Sequence, residues 1–231
     1  MQHPMTLLAA LWLAAFSLSA QQSSEVGVFL GAANYMGDLA PRPMAFNETQ
    51  FAFGGHYRYM PDPRFGVKGS ITLGKISGKD ANVPRPGQQE RGWQMEAGVF
   101  EAALQGEWHF LGKPRYDHTG IFAPQLSPFV SVGLGLTLSE AKVTVPPREK
   151  LRFPEPGDKS AFIVMPVSVG LRYDLSEFLL IAGEVGLRAT FSDYLDGLSS
   201  YLNSRHNDYY IFGGISILYV IEAEMVRSYR N

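Results

Sequence analysis

Cysteine is absent from the 231 residues, so neither a disulfide framework nor a thiolate metal site can form. Charge of one sign is lacking too. A formal net charge of -2 argues against a partner held by phosphate neutralisation, so no nucleic acid is expected. The longest apolar run, Thr6–Phe16, is too short to span a bilayer as a helix, and a mean hydropathy of -0.06 excludes a helical membrane protein. It does not exclude a barrel, whose alternating strands average out. No stretch of helical period is long, and neither G-x-S-x-G nor H-E-x-x-H occurs. The stretch GKISGKD evokes a phosphate loop without its spacing. His56, His109, His118 and His206 form no nucleophile–base spacing. The expectation is a non-enzyme without a cofactor.

What is present is alternation. In Phe178–Phe191, Leu179, Ile181, Val185 and Leu187 share one phase, and Ala182, Glu184, Gly186, Arg188 and Thr190 share the other. Successive strand side chains point to opposite faces, so one face is apolar and the other carries an acid and a base. Seven further segments read the same way: Glu25–Tyr35, Thr49–Met60, Arg64–Ile76, Trp93–Phe110, Leu126–Leu138, Phe162–Asp174 and Tyr209–Ile221. The last fits least well, because Tyr210, Phe212, Leu218 and Val220 make its second face apolar as well.

A charge facing lipid near the bilayer midplane costs about 2–4 kcal/mol, so confining charges to one face is what a membrane would enforce. The expected fold is all-β, an eight-stranded antiparallel up-and-down transmembrane barrel with a filled interior. Residues 1–20 read as a signal peptide with small residues at Ser17, Ser19 and Ala20, and residues 21–231 as the barrel with a short tail. Long connections at about 34–48, 77–92, 139–161 and 192–208 alternate with short turns at Pro61–Pro63 and Leu175–Glu177. That rhythm implies the outer membrane of a Gram-negative cell, with both termini periplasmic. The segment 111–125 is longer than a periplasmic turn should be.

The barrel reading places Arg58, Lys68, Glu101, Glu107, His109, Arg172, Glu184 and Arg188 in the lumen, as a polar plug held by ion pairs or water. Glu107 and His109 share a face and could orient a base, though a satisfied pair is the simpler account. Asp193 and Asp196 flank Tyr194 and Leu195 in a loop without calcium-loop spacing, so no metal is expected there. Tyr116 and Phe122, in the overlong connection, are candidates for docking a partner.

Several stretches carry a resemblance. They are Glu25, Gly27 and Gly31 followed by Tyr35–Leu39; Leu73–Asp80; Glu101 and Glu107 before Phe110; and Ser127–Val130. The most specific is Glu184-x-Gly186-x-Arg188-x-Thr190-Phe191-Ser192-Asp193-Tyr194-Leu195-Asp196, followed by Tyr201 and Asn207–Tyr210. In these the chain resembles the PorG-type outer-membrane β-barrel of the type IX protein secretion system. It departs from that family at Gly197, where a second acid is usual, and in the shorter connection around PPREKLRFPEPGDKS. The resemblance implies a barrel seated in outer-membrane lipid that associates with periplasmic ring proteins of the secretion machine. The alternative is a general surface barrel that binds external ligands through its long loops.

Overall fold

The computed structural model describes residues 22–36, 49–79, 94–144, 159–190 and 209–223. These form eight strands: β1 (Ser23–Met36), β2 (Gln50–Asp62), β3 (Phe65–Lys79), β4 (Gln94–His109), β5 (Leu126–Thr144), β6 (Lys159–Asp174), β7 (Leu179–Thr190) and β8 (Tyr209–Ala223). Each pairs antiparallel with its sequence neighbours, and β1 pairs with β8, so the sheet closes into a barrel without an edge. Even the shortest strand, β7 with 12 residues, exceeds the roughly 9–11 needed to cross a bilayer.

Several strands run further than their apolar alternation. β5 continues beyond Leu138 to Thr144, and β6 begins at Lys159 rather than Phe162. The ladder explains this. Pairs such as Glu140↔Lys159 and Glu96↔Lys142 extend the hydrogen bonding past the greasy part of each strand, where hydropathy gives no signal. The family-motif loop Asp193–Asp196, residues 1–20 and the tail beyond Ala223 lie outside the described residues.

The exterior is apolar around the full circumference. Val28, Ile71, Leu104, Leu134, Val169, Val185 and Ile215 all face outward, with Leu134 63% exposed. Water would make such a surface untenable; acyl chains make it favourable. Near the short-turn end the band finishes in aromatics: Tyr57, Tyr59, Phe65, Trp108, Phe110, Tyr173, Phe178 and Tyr219. Tyr57 and Tyr59 turn their hydroxyls to Ser24 and Gln22, at 3.0 and 3.2 Å. This is the interfacial girdle expected where a barrel wall meets headgroups. The exterior is that of an outer-membrane-type barrel.

The interior has two layers. Toward the long-connection end it is a hydrophobic plug that includes Phe29, Tyr35, Ile76, Met95, Phe162, Val164 and Phe212. Toward the short-turn end it is charged, with a small apolar patch of Leu180, Ala182, Leu218 and Val220 on β7 and β8. The second apolar face of β8 is thereby accounted for. Its Phe212 joins the plug, and its Leu218 and Val220 pack beside the ion pairs.

Candidate functional site

The charged layer is built by side chains of opposite sign that converge from different strands. Arg58 of β2 is fully buried and lies between two acids, 3.3 Å from Glu25 and 2.6 Å from Glu107. Glu107 also meets Lys68 at 3.4 Å and His109 at 3.3 Å. His109 has Ser127 on its other ring nitrogen at 3.1 Å. The tautomer that satisfies both neighbours carries its proton on Nε2, donating to Glu107, and accepts from Ser127 at Nδ1. Lys68 reaches across the lumen to Glu184 of β7 at 2.7 Å. Glu25 holds Arg172 at 2.6 Å, and Arg172 lies 3.7 Å from Asp174.

A second, smaller group abuts the plug. Arg188 is 3.4 Å from Glu101, which also accepts from the Tyr210 hydroxyl. Tyr210 in turn lies 2.7 Å from the Thr137 hydroxyl. The Arg188 guanidinium sits 4.8 Å from the centre of the Phe212 ring, so the plug also stabilises a cation through its π face. Close packing fixes these positions. A Cβ on Gly170 would strike the Phe129 ring at 2.5 Å, and that same ring lies beneath Arg58.

All eight residues expected in the lumen point inward and belong to this layer. Three further charged residues, not among those expected in the lumen, join them: Glu25, Asp174 and Arg115. Glu25 lies on the inward phase of β1, and Asp174 follows Arg172 by one period of β6, so both were open to the alternation argument. Arg115 was not, because it lies in a connection with no period. Among the described residues, five cations (Arg58, Lys68, Arg115, Arg172, Arg188) face five carboxylates (Glu25, Glu101, Glu107, Asp174, Glu184). The layer is therefore charge-balanced. Hydrated ions would have to break these pairs and then cross the plug.

Arg115 ties the overlong connection to the barrel. Its Nε donates to Asp174 at 2.9 Å, and its terminal nitrogen donates to the carbonyls of Ser176 and Glu177 at 3.1 and 3.0 Å. Its guanidinium also lies 5.5 Å from the centre of the Phe122 ring. Tyr116 and Phe122 pair across a short bridge with their rings edge to face, 5.9 Å apart. Beyond them Asp117 closes a tight turn. Its carboxylate accepts from the Thr119 hydroxyl at 2.6 Å and from the amides of Thr119 and Ile121 at 2.8 and 2.9 Å. Gly120 adopts φ of 79°, which side chains rarely tolerate. The hydrogen bond from Thr119, followed by the bond from the Ile121 amide, holds the Asp117 carboxyl below its usual range. Burial, followed by the nearby charge of Glu177, pushes the Tyr116 phenol up. At the base of the connection Gly112 lies so close to the Pro63 carbonyl that no side chain fits. The 111–125 segment is thus a folded tab seated on the mouth, with Ile121 exposed at its end.

Among solved structures the chain is similar to small barrels that include the following three. Ail of Yersinia pestis, in complex with the heparin analogue sucrose octasulfate, shares 10% identity over 88% of this chain and 100% of that one, with a TM-score of 0.44. The N-terminal β-barrel domain of Pseudomonas aeruginosa OprF shares 12% over 87% and 100%, with a TM-score of 0.44. Neisserial surface protein A shares 7% over 86% and 96%, with a TM-score of 0.48. No curated protein matches the sequence. A family model described as Domain of unknown function (DUF6089) matches residues 5–226, nearly the whole of the chain, and the protein belongs to that family.

Proposed function

We propose that this barrel is a non-enzymatic outer-membrane component of the type IX protein secretion machinery, docking periplasmic ring proteins at its short-turn mouth. Two supports come together. The residues around Glu184–Asp196 resemble the PorG-type barrel, and the 111–125 connection forms a pre-folded tab instead of a minimal turn. The tab is the observation that carries the reading. A turn of two or three residues would suffice to join β4 to β5, whereas this one is anchored by three hydrogen bonds from a single arginine. A balanced lumen and an apolar plug suit an anchor better than a conduit. In this reading both termini and the tab face the periplasm, and Tyr116 and Phe122 shape the docking face.

The test is a deletion strain scored for cargo retained in the periplasm, combined with affinity capture of the barrel. Export should fail on deletion, and ring proteins should be captured with the wild type. A photoreactive residue in place of Tyr116 or Phe122 should trap a periplasmic partner. Normal export in the deletion strain would refute the secretion role. A tab that crosslinks to nothing while export depends on the barrel would refute the docking face alone.

A further inference from the structure

The lipid-facing wall over β2–β6 is not evenly filled. It carries two hollows, one above the other, of about 840 and about 820 Å³. The ladder fixes how they relate. Nearest the long connections, Lys75, Gly98, Glu140 and Lys159 stand side by side across four strands. The next outward row is Phe53, Leu73, Phe100 and Leu138. Below it Ala102 lies beside Ile71, and one row lower Gly69 lies beside Leu104. The upper hollow therefore has a charged rim above apolar sides, and the lower one opens among apolar side chains.

Two of the residues that keep the wall low have no packing reason to be glycine. A Cβ built on Gly98 or Gly69 would meet nothing within 4 Å, and neither has the positive φ that favours glycine. Glycine in a strand interior weakens the strand, so the space it leaves open outside is the feature to explain. Beside Gly98 stands Lys75, exposed and without an ion pair among the described residues, whereas Glu140 and Lys159 face each other at 3.6 Å.

We propose that this wall binds one anionic, phosphate-bearing lipid of the leaflet that meets the long connections, for which phosphatidylglycerol serves as the probe. The phosphate sits at Lys75 over Gly98, and an acyl chain runs past Phe100 into the lower hollow against Ala102, Leu104 and Gly69. The dimensions favour a lipid over a protein partner. From Gly98 to Leu104 is six residues of β4, about 20 Å at the strand rise. At a strand tilt of about 40° that is a drop of roughly 15 Å, half of a hydrocarbon core about 30 Å thick. The groove thus runs from the headgroup boundary to the midplane. It spans one leaflet. The Lys75 ammonium at its upper end, without an ion pair among the described residues, complements a phosphate.

The test uses the purified barrel in a non-ionic detergent, mixed with equal amounts of palmitoyl-oleoyl phosphatidylglycerol and phosphatidylcholine and read by native mass spectrometry. The wild type should retain one phosphatidylglycerol several-fold more than phosphatidylcholine. K75Q should lose that preference. The double variant Gly69→Leu, Gly98→Leu fills open space, so it should keep heat-modifiable migration and lose the adduct. Equal retention of both lipids by the wild type would overturn the proposal. So would an unchanged phosphatidylglycerol adduct on the filled, folded variant, or a wild type that forms a lipid-free dimer instead.

Discussion

Arg58→Met is the sharpest probe of the interior. Arg58 is wholly buried and holds two carboxylates, Glu25 at 3.3 Å and Glu107 at 2.6 Å. Methionine fills much of the same volume but removes the charge, leaving four cations against five carboxylates. Glu25 then keeps Arg172, and Glu107 keeps Lys68 and His109, so neither acid is stranded. Removing one partner of a buried pair costs about 3–5 kcal/mol, and these surviving partners place the expected loss near the lower bound, about 3 kcal/mol. Adding Glu107→Gln restores the balance at four and four. The double variant should therefore recover a large part of the loss, giving a coupling of about 1–3 kcal/mol by the cycle. Urea unfolding in detergent micelles, followed by tryptophan fluorescence and heat-modifiable gel migration, measures each term. A loss below about 1 kcal/mol for the single variant, or losses that simply add, would refute the view that charge balance holds this layer together.

Other expectations concern the wall and the mouth. Leu134→Arg puts a charge on a 63% exposed outward position, and should cost about 2–4 kcal/mol in vesicles by the same unfolding assay. A smaller cost than that of Leu134→Ala would contradict the lipid-facing assignment. Arg115→Met removes the bonds to Asp174, Ser176 and Glu177 while sparing the strands. Limited proteolysis should then cut within 111–125 at least several-fold faster, with the barrel fragment intact; unchanged cleavage would mean that Arg115 does not anchor the tab. Because the folded Asp117 carboxyl is held below its usual range, its contribution to the tab is present above the ordinary aspartate pKa of 3.8 and is lost as pH falls through the lower folded value. Amide exchange at Ile121, corrected for its intrinsic pH dependence, should stay protected from neutral pH down past 3.8 and open only below it. Asp117→Asn should lack that transition.

The strand count, the face of each strand and the segregation of charge were open to reading from sequence. They follow from a period of two that the bilayer imposes on every crossing segment. Lys68, Glu107, Glu184 and Arg188 were identifiable as inward from parity alone. Their partners were not, because which acid meets which base depends on closure and register. Lys68 and Glu184 are 116 residues apart in the chain and 2.7 Å apart in the lumen.

The sequence by itself also left β8 ambiguous, since two apolar faces fit neither a lipid wall nor a polar lining. Only the closed barrel divides the interior into a hydrophobic plug and an ion-pair layer, so that Phe212 and Leu218 find buried apolar neighbours. Arg115 gave no signal of any kind, for a connection has no period to break. Its role emerges from the mouth that β6 and β7 bring beneath it. Alternation is a local property of the chain and is legible in one dimension. The hollows on the outer wall need the register of five paired strands, and the cross-lumen ion pairs and the plug exist only once the first strand meets the last.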